Sequence, residues 1–221
     1  MNITLTPVEV RILGCLIEKE ATTPDIYPLT LNSLLTACNQ KTSRDPVMEL
    51  GSDDQMTALS SLIEKTLVST WKSDHNRMAK YQHKLSHRVS DKFNFSLPEL
   101  AVLCVLFLRG PQTVGEIRTR CSRIHEFDNL DAIAAVLKAL EDKPDGPYVT
   151  MLARQEGRKE SRYSHLFSGE PDETVMPSTR VQRAASGDSS RMEALELQVD
   201  ELKSTLQELE QRLETFMKQF E

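Results

Sequence analysis

Residues 5–16, LTPVEVRILGCL, and residues 95–106, FSLPELAVLCVL, are two versions of one helix start, set 90 residues apart. In each, a hydroxyl residue (Thr6, Ser96) stands three positions before a glutamate (Glu9, Glu99), the spacing with which a capping box satisfies the orphan amides of a helix N-terminus. Leu5 with Val10, and Phe95 with Leu100, occupy the two ends of a hydrophobic staple, and Pro7 falls where its missing N–H is harmless. Each start then runs into an apolar stripe: Val10, Ile12, Leu13, Leu16 and Ile17, against Leu100, Val102, Leu103, Leu106 and Phe107. A helix written twice with its cap implies a duplicated unit.

The duplication continues outward. Thr30, Leu31, Leu34 and Cys38 fall on Thr113, Val114, Ile117 and Cys121, which predicts a second, shorter helix in each half. A third is predicted over 52–65, opened by a Ser-x-x-Gln box (Ser52, Gln55), and over 128–140. Its core positions are expected at Met56, Leu59, Leu62 and Ile63, matched by Leu130, Ile133, Val136 and Leu137. After each third helix, alternating β-type residues, a polar turn and a second alternating run predict a hairpin: 67–72 with 78–85, and 148–152 with 161–167. Both return strands carry Tyr-x-His, at Tyr81 and His83 and at Tyr163 and His165. Three helices and a two-stranded wing, twice over, predict a mainly α chain with small β-hairpins (α+β). The architecture is tandem winged helix-turn-helix domains at 1–90 and 91–169.

Three blocks, LGCLIEKEATTPDIYPLTLNSLLTACNQKTSRDPVMEL (13–50), LFLRGPQTVGEIRTRCSRIHEF (106–127) and RYSHLFSGE (162–170), resemble the YceH family of uncharacterised bacterial proteins. The resemblance is read over residues 3–170, with the C-terminal segment outside it. It implies a pair of winged-helix units and carries over no activity, binding site or functional residue.

The 221 residues carry a net charge of -6, but positions 1–168 balance at 21 basic and 21 acidic residues, and the whole excess lies in 169–221. That tail opens with a Pro-, Gly- and Ser-containing stretch, 170–190, of linker composition. From Met192, the residues Leu195, Val199, Leu202, Leu206, Leu209, Leu213, Phe216 and Phe220 recur at alternating steps of three and four. This heptad seam predicts a coiled-coil helix over 191–221 and a homo-oligomer formed through 192–220. The competing reading folds that helix back onto its own globular part. No apolar run reaches membrane-span length and no secretory leader opens the chain, so a cytoplasmic protein without membrane association is expected. Cys15, Cys38, Cys104 and Cys121 form no CxxC pair and read as reduced core thiols.

No phosphate-cradling Gly-rich loop, HExxH, GxSxG or distinctive carboxylate pair is present, so we expect no enzyme, no catalytic residues, no metal and no cofactor. The Tyr-x-His pairs, on the inner face of each return strand, read as packed, hydrogen-bonded core features rather than ligands.

The fold suggests nucleic-acid binding, and the charge distribution gives candidates. Lys72, Arg77, Lys80, Lys84, Arg88 and Lys92 crowd the first wing and its exit, with Lys80, Gln82 and Lys84 alternating onto the outer face. Arg109, Arg118, Arg120 and Arg123 cluster around the second unit's short helix, and Arg154, Arg158, Lys159 and Arg162 mark its wing. The expected phosphate contacts are Lys72, Arg77, Lys80, Lys84, Arg88, Arg118, Arg120, Arg158 and Lys159. An ordinary edge using lysine to block strand pairing is the competing reading. The third helices argue against base reading, because their expected exposed positions (Asp53, Asp54, Gln55, Thr57, Ser60, Ser61 and Glu64; Asp128, Asn129, Asp131, Ala134 and Ala135) offer carboxylates and no cation. A long connection, 39–51, carries Gln40, Lys41, Thr42, Ser43, Arg44 and Asp45 as a candidate partner loop, with a surface loop stapled by Pro46, Val47 and Met48 as the alternative.

Two functions follow: a DNA-associated transcriptional regulator contacting duplex phosphates weakly through basic wings, or a protein–protein interaction scaffold that binds no DNA.

Overall fold

The computed structural model describes residues 3–73, 76–86, 93–153 and 160–171, with residues 72, 73, 76 and 77 described by backbone alone. It is a mixed α+β fold with six α-helices and two small antiparallel sheets among those residues. In the first half come α1 (Pro7–Thr22), β1 (Leu29–Thr30), α2 (Leu31–Cys38), α3 (Ser52–Glu64), β2 (Val68–Ser73) and β3 (Asn76–His83). In the second come α4 (Leu97–Arg109), α5 (Val114–Cys121), α6 (Leu130–Glu141), β4 (Val149–Met151) and β5 (Tyr163–His165).

The helix starts form as their caps dictate. Thr6 N–H donates to Glu9 Oε2 at 2.7 Å while Glu9 N–H donates to Thr6 Oγ1 at 3.3 Å. At α4 both the amide and the hydroxyl of Ser96 donate to Glu99 Oε2, at 2.7 and 2.8 Å. Thr113 and Glu116 close a third box on α5. Each cap contributes about 1 kcal/mol.

The expected box at Ser52 is corrected. Gly51 is the N-cap of α3 and makes no side-chain cap bond, while Gln55 is buried and donates Nε2–H to the Leu31 carbonyl at 3.1 Å. The inward stripe of α3 is therefore Gln55, Ala58, Leu59 and Leu62, and Met56 and Ile63, expected in the core, are 52% and 38% exposed. Both phases carry apolar residues at helical spacing, so periodicity alone favours neither; the amide of Gln55 finding the Leu31 carbonyl goes with the observed rotation. Leu130 on α6 is likewise exposed, the inward stripe being Ile133, Leu137 and Leu140. At the other end of α3, Leu67 N–H bonds to Leu62 O and Thr66 N–H to Ile63 O, both at 2.9 Å, with Thr66 at φ +61°. This is the Schellman ending with threonine where glycine is usual.

The first sheet has the order β1-β3-β2, with Leu29 opposite Tyr81 and Val68 opposite His83. A pairing that the sequence did not announce recurs in both halves: Gln112 forms a single antiparallel bridge to Tyr163, as Leu29 of β1 pairs with Tyr81, each just before the threonine that caps the second helix. The second sheet pairs β4 with β5 over an aromatic core in which Phe107, Tyr148 and Phe167 meet with centroids 5.0–5.5 Å apart.

The described residues fall within one compact unit, 1–173, and both halves contribute to its core. Helix α1 is buried almost all round because α4 covers the face turned away from α2 and α3. The two helices approach at Gly14, where an added Cβ would lie 2.8 Å from Leu108 Cδ2 and 3.0 Å from Phe107 Cβ. Close approach of backbones requires a residue without a side chain there. Cys104 Sγ–H donates to Gly14 O at 3.4 Å, Asp45 N–H to Leu108 O at 2.8 Å and Leu5 N–H to Phe167 O at 2.7 Å, tying the halves at three further points. The four cysteines are free and buried. Burial pushes the Cys121 thiol up to about 12 and raises that of Cys104.

Candidate functional site

The first hairpin presents a defined outer face. Because paired residues of an antiparallel ladder share a face, Trp71 opposite Lys80 and Ser69 opposite Gln82 form one surface, to which Thr30 is added by its pairing with Lys80. Trp71 is 47% exposed; Lys80, Gln82 and Lys84 are half-buried rather than fully presented to water. Gln82 Nε2–H donates to Ser69 Oγ at 3.1 Å, whereas neither Lys80 nor Lys84 forms a salt bridge among the described residues. Met78, two residues along β3 from Lys80, is also exposed. The side chains of Lys72 and Arg77, and all of Arg88, Arg158 and Lys159, lie outside the described residues.

The inner face holds the histidines, with different surroundings. His83 is buried; its Nε2 lies 2.6 Å from Glu20 Oε2, its Nδ1 accepts from Leu85 N–H at 3.2 Å, and its own N–H donates to the Tyr27 hydroxyl at 2.9 Å. Burial raises the pKa of that hydroxyl. His165 instead packs edge-on against Phe107, centroids 5.0 Å apart, with Nδ1 unpartnered, and burial lowers its pKa to about 4. His165 therefore corrects the expectation of a hydrogen-bonded pair, since apolar packing replaces the hydrogen bond in the second copy. Among the described residues no three His, Cys, Asp or Glu side chains come together as a metal site would require.

The arginines of α5 diverge. Arg118 is exposed and donates Nη2–H to Asp128 O at 2.9 Å, while Arg120 turns into a cleft lined also by Arg109 and Arg123. Arg162 is held by Pro111 O at 2.7 Å and by Glu116 at 2.8–2.9 Å. Burial pushes the Glu116 carboxyl up, but the Thr113 amide and Arg162 outweigh it and hold the pKa below its ordinary value. On α3 the exposed positions are Ser52, Asp53, Asp54, Thr57, Ser60 and Glu64, with Met56 and Ile63 among them; of those expected there, Gln55 is inside and Ser61 half-buried.

In the long connection 39–51, Lys41, Thr42 and Asp45 are exposed, and Gln40 and Ser43 half-buried. Arg44 does not join them. It is 5% exposed, paired bidentately with Glu18 (Nη1 to Oε1 3.2 Å, Nη2 to Oε2 2.7 Å), and donates also to Ala37 O and Gln40 Oε1. A guanidinium drawn inside in this way anchors the loop and is closed to a surface partner. Of the apolar residues expected to staple the loop, Pro46 and Val47 are exposed and Met48 is half-buried, while Leu50 packs against the core. Polar fastenings add to this: Asn39 bonds Leu50 at both N–H and O (2.8 and 3.0 Å), and the buried Arg11 donates to Cys38 O and Pro46 O.

Sequence reasoning passed over Arg11, Glu18 and Trp71. Arg11 and Glu18 lie within or beside an apolar helical stripe, an unusual place for a charge and the one local signal that each is drawn inside. Trp71 is the one tryptophan of the chain, on a strand whose neighbours are basic.

No helix of the described residues is long and apolar enough to cross a membrane. The model of a family described as "Protein of unknown function, DUF480" matches residues 5–158. A UPF0502 protein of Aliivibrio fischeri is 45% identical over 211 residues, covering 95% of this chain and 96% of its own. UPF0502 protein YceH of Salmonella newport is 44% identical over 210 residues, covering 95% and 97%. Alignments of that length cannot fit within residues 3–170, so the likeness extends into the C-terminal segment that the sequence reading had placed outside it. Matched along nearly its whole length to such relatives, and by the family model over its first 150 or so residues, the chain belongs to the DUF480 family.

Proposed function

We propose that this chain is a tandem winged-helix protein, with domains at 1–90 and 91–169, that associates with DNA through phosphate contacts from its first wing. A linker at 170–190 and a coiled coil at 191–221 would join copies into a homo-oligomer; these segments lie outside the described residues from 172 on. The observation that carries the reading is the outer face of the first hairpin, where the exposed Trp71 lies directly opposite Lys80, with Lys84 two steps beyond Gln82. Ammonium groups that form no salt bridge with a described residue, beside an exposed aromatic ring, supply a phosphate contact and an apolar or stacking contact together. Sequence-specific groove reading forms no part of this function, because the solvent face of α3 carries Asp53, Asp54 and Glu64 and would meet the polyanion with like charge. No catalysis is included in the reading, and the cytoplasm is the compartment it assumes.

Trp71, as the sole tryptophan, makes the test direct. A mixed-sequence duplex titrated into the full chain at low salt should change Trp71 emission with micromolar affinity, and binding should weaken steeply toward physiological salt. Lys80→Glu with Lys84→Glu should abolish the change while leaving the melting temperature within about 2 °C of the parent. Absence of binding at low salt would remove the DNA function.

A second reading, a protein-interaction scaffold without DNA, is favoured by one observation. Met56 and Ile63 are exposed on α3 among carboxylates, which suits a partner with an apolar and basic surface.

A further inference from the structure

Where the halves meet, a solvent-open cleft lies between the C-terminal part of α1, the 39–51 connection, the end of α4 and α5 with the turn that follows it. Three guanidinium groups line it: Arg109 from the last turn of α4, Arg120 from α5 and Arg123 from the turn beyond. None of the three forms a hydrogen bond or salt bridge through its side chain with a described residue. One carboxylate, Glu18, also lines the cleft, but both its oxygens are engaged by the buried Arg44. The cleft lining thus carries an excess of positive charge: burial first, then Arg120 and Arg44, lower the Arg109 pKa, against the opposing pull of Asp45 and Glu18.

Arg109 and Arg120 are half-buried and Arg123 exposed, so an anion arriving from solvent can reach all three charges. Guanidinium groups are suited to bidentate recognition of phosphate and carboxylate oxygens. The rim adds a hydroxyl, Ser43, held at φ +59° in the left-handed region that serine seldom adopts; its carbonyl accepts from Arg44 Nη1 at 3.1 Å. The loop conformation at the rim is therefore fastened to the same buried pair that occupies Glu18.

We propose that this cleft is a binding site for a small polyanionic ligand bearing phosphate groups, held by Arg109, Arg120 and Arg123 at the junction of the two halves. The ligand neutralises the three guanidinium groups and bridges α4 and α5 to the loop of the first half. The site is separate from the first wing, so this inference does not depend on DNA binding.

The test uses the full chain and two probes, pyrophosphate and citrate, compared with chloride at matched ionic strength. At about 10 mM, pyrophosphate should raise the thermal midpoint by about 3 °C or more over chloride, and citrate, as a polycarboxylate of similar charge, by less. Arg120→Gln with Arg123→Gln should abolish the pyrophosphate shift without lowering the midpoint in chloride, since neither side chain bonds a described residue. Arg118→Gln, outside the cleft, should keep the shift. The inference is overturned by no pyrophosphate shift in the parent, by an equal shift in the double variant, or by citrate matching pyrophosphate. It is overturned also if the double variant loses the Trp71 response to duplex, which would make the cleft part of a nucleic-acid surface. Loss of duplex binding in the parent with the pyrophosphate shift intact would remove the wing function alone.

Discussion

Two helical glycines should respond to the same substitution with opposite sign. In an ordinary helix interior, alanine is favoured over glycine by about 1 kcal/mol. At Gly14 on α1, the new methyl would lie 2.8 and 2.9 Å from Leu108 Cδ2 and Cγ and 3.0 Å from Phe107 Cβ. Leu108 could be displaced by rotation, but Phe107 Cβ is fixed to the α4 backbone, so α4 must move outward by several tenths of an ångström. Overpacking of this kind costs about 1–3 kcal/mol, which exceeds the propensity gain. Gly14→Ala should therefore destabilise by about 1 kcal/mol net, lowering the melting temperature by about 3 °C. Gly115, in the first turn of α5, has only Thr113 Oγ1 at 4.0 Å from its would-be Cβ. Gly115→Ala should stabilise by about 0.5 kcal/mol, through the loss of backbone freedom in the unfolded chain. Urea denaturation of the two variants beside the parent measures both signs, with unchanged m-values confirming that only stability has moved. If Gly14→Ala stabilised as Gly115→Ala does, the close approach of α1 and α4 that joins the halves would be wrong.

Four further outcomes are expected. Glu18→Leu leaves the Arg44 guanidinium buried without its carboxylate and should cost about 3–5 kcal/mol, while Glu18→Leu with Arg44→Met should recover much of that loss in a double-mutant cycle; additive losses would contradict the pair. His165, lowered to about 4 by burial, binds fewer protons folded than unfolded between about pH 6.5 and 4, so stability falls as pH drops through that window, by about 3 kcal/mol over its whole width. His165→Phe should remove this part of the pH slope, and an unchanged slope in urea denaturation across the window would refute the assignment. Thr66→Gly relieves a left-handed threonine at the end of α3 and should stabilise by about 1 kcal/mol in the same assay, a loss of stability being the contrary result. Removing residues 191–221 should reduce the mass seen by light scattering to that of a monomer, and an unchanged mass would mean that the heptad segment is not what assembles the protein.

What the sequence determined by itself was set by residues a few positions apart, although the box read at Ser52 shows that such spacing can also be overruled. The capping boxes at Thr6 and Ser96, the proline at the start of α1 and the alternation of Tyr81, His83 and Leu85 are local arrangements, so they announce helices, a hairpin and the duplication without knowledge of what packs on them. The basic character of the first wing was legible for the same reason. Tertiary structure decided which face each element buries and which distant charges meet. The rotation of α3 rests on Gln55 reaching the Leu31 carbonyl 24 residues away, an interaction absent from any local pattern. Arg44, a surface candidate by sequence, is taken inside because Glu18, 26 residues earlier, waits on a helix buried on nearly every side. The cleft needed Arg109, Arg120 and Arg123 to converge with Ser43 from the other half, although nothing in their sequence neighbourhoods distinguishes them from Arg118, which points elsewhere. Periodicity and capping act over a turn or two of chain, whereas burial and charge act through space, and only the packing of α1 against α4 brings those residues within reach of one another.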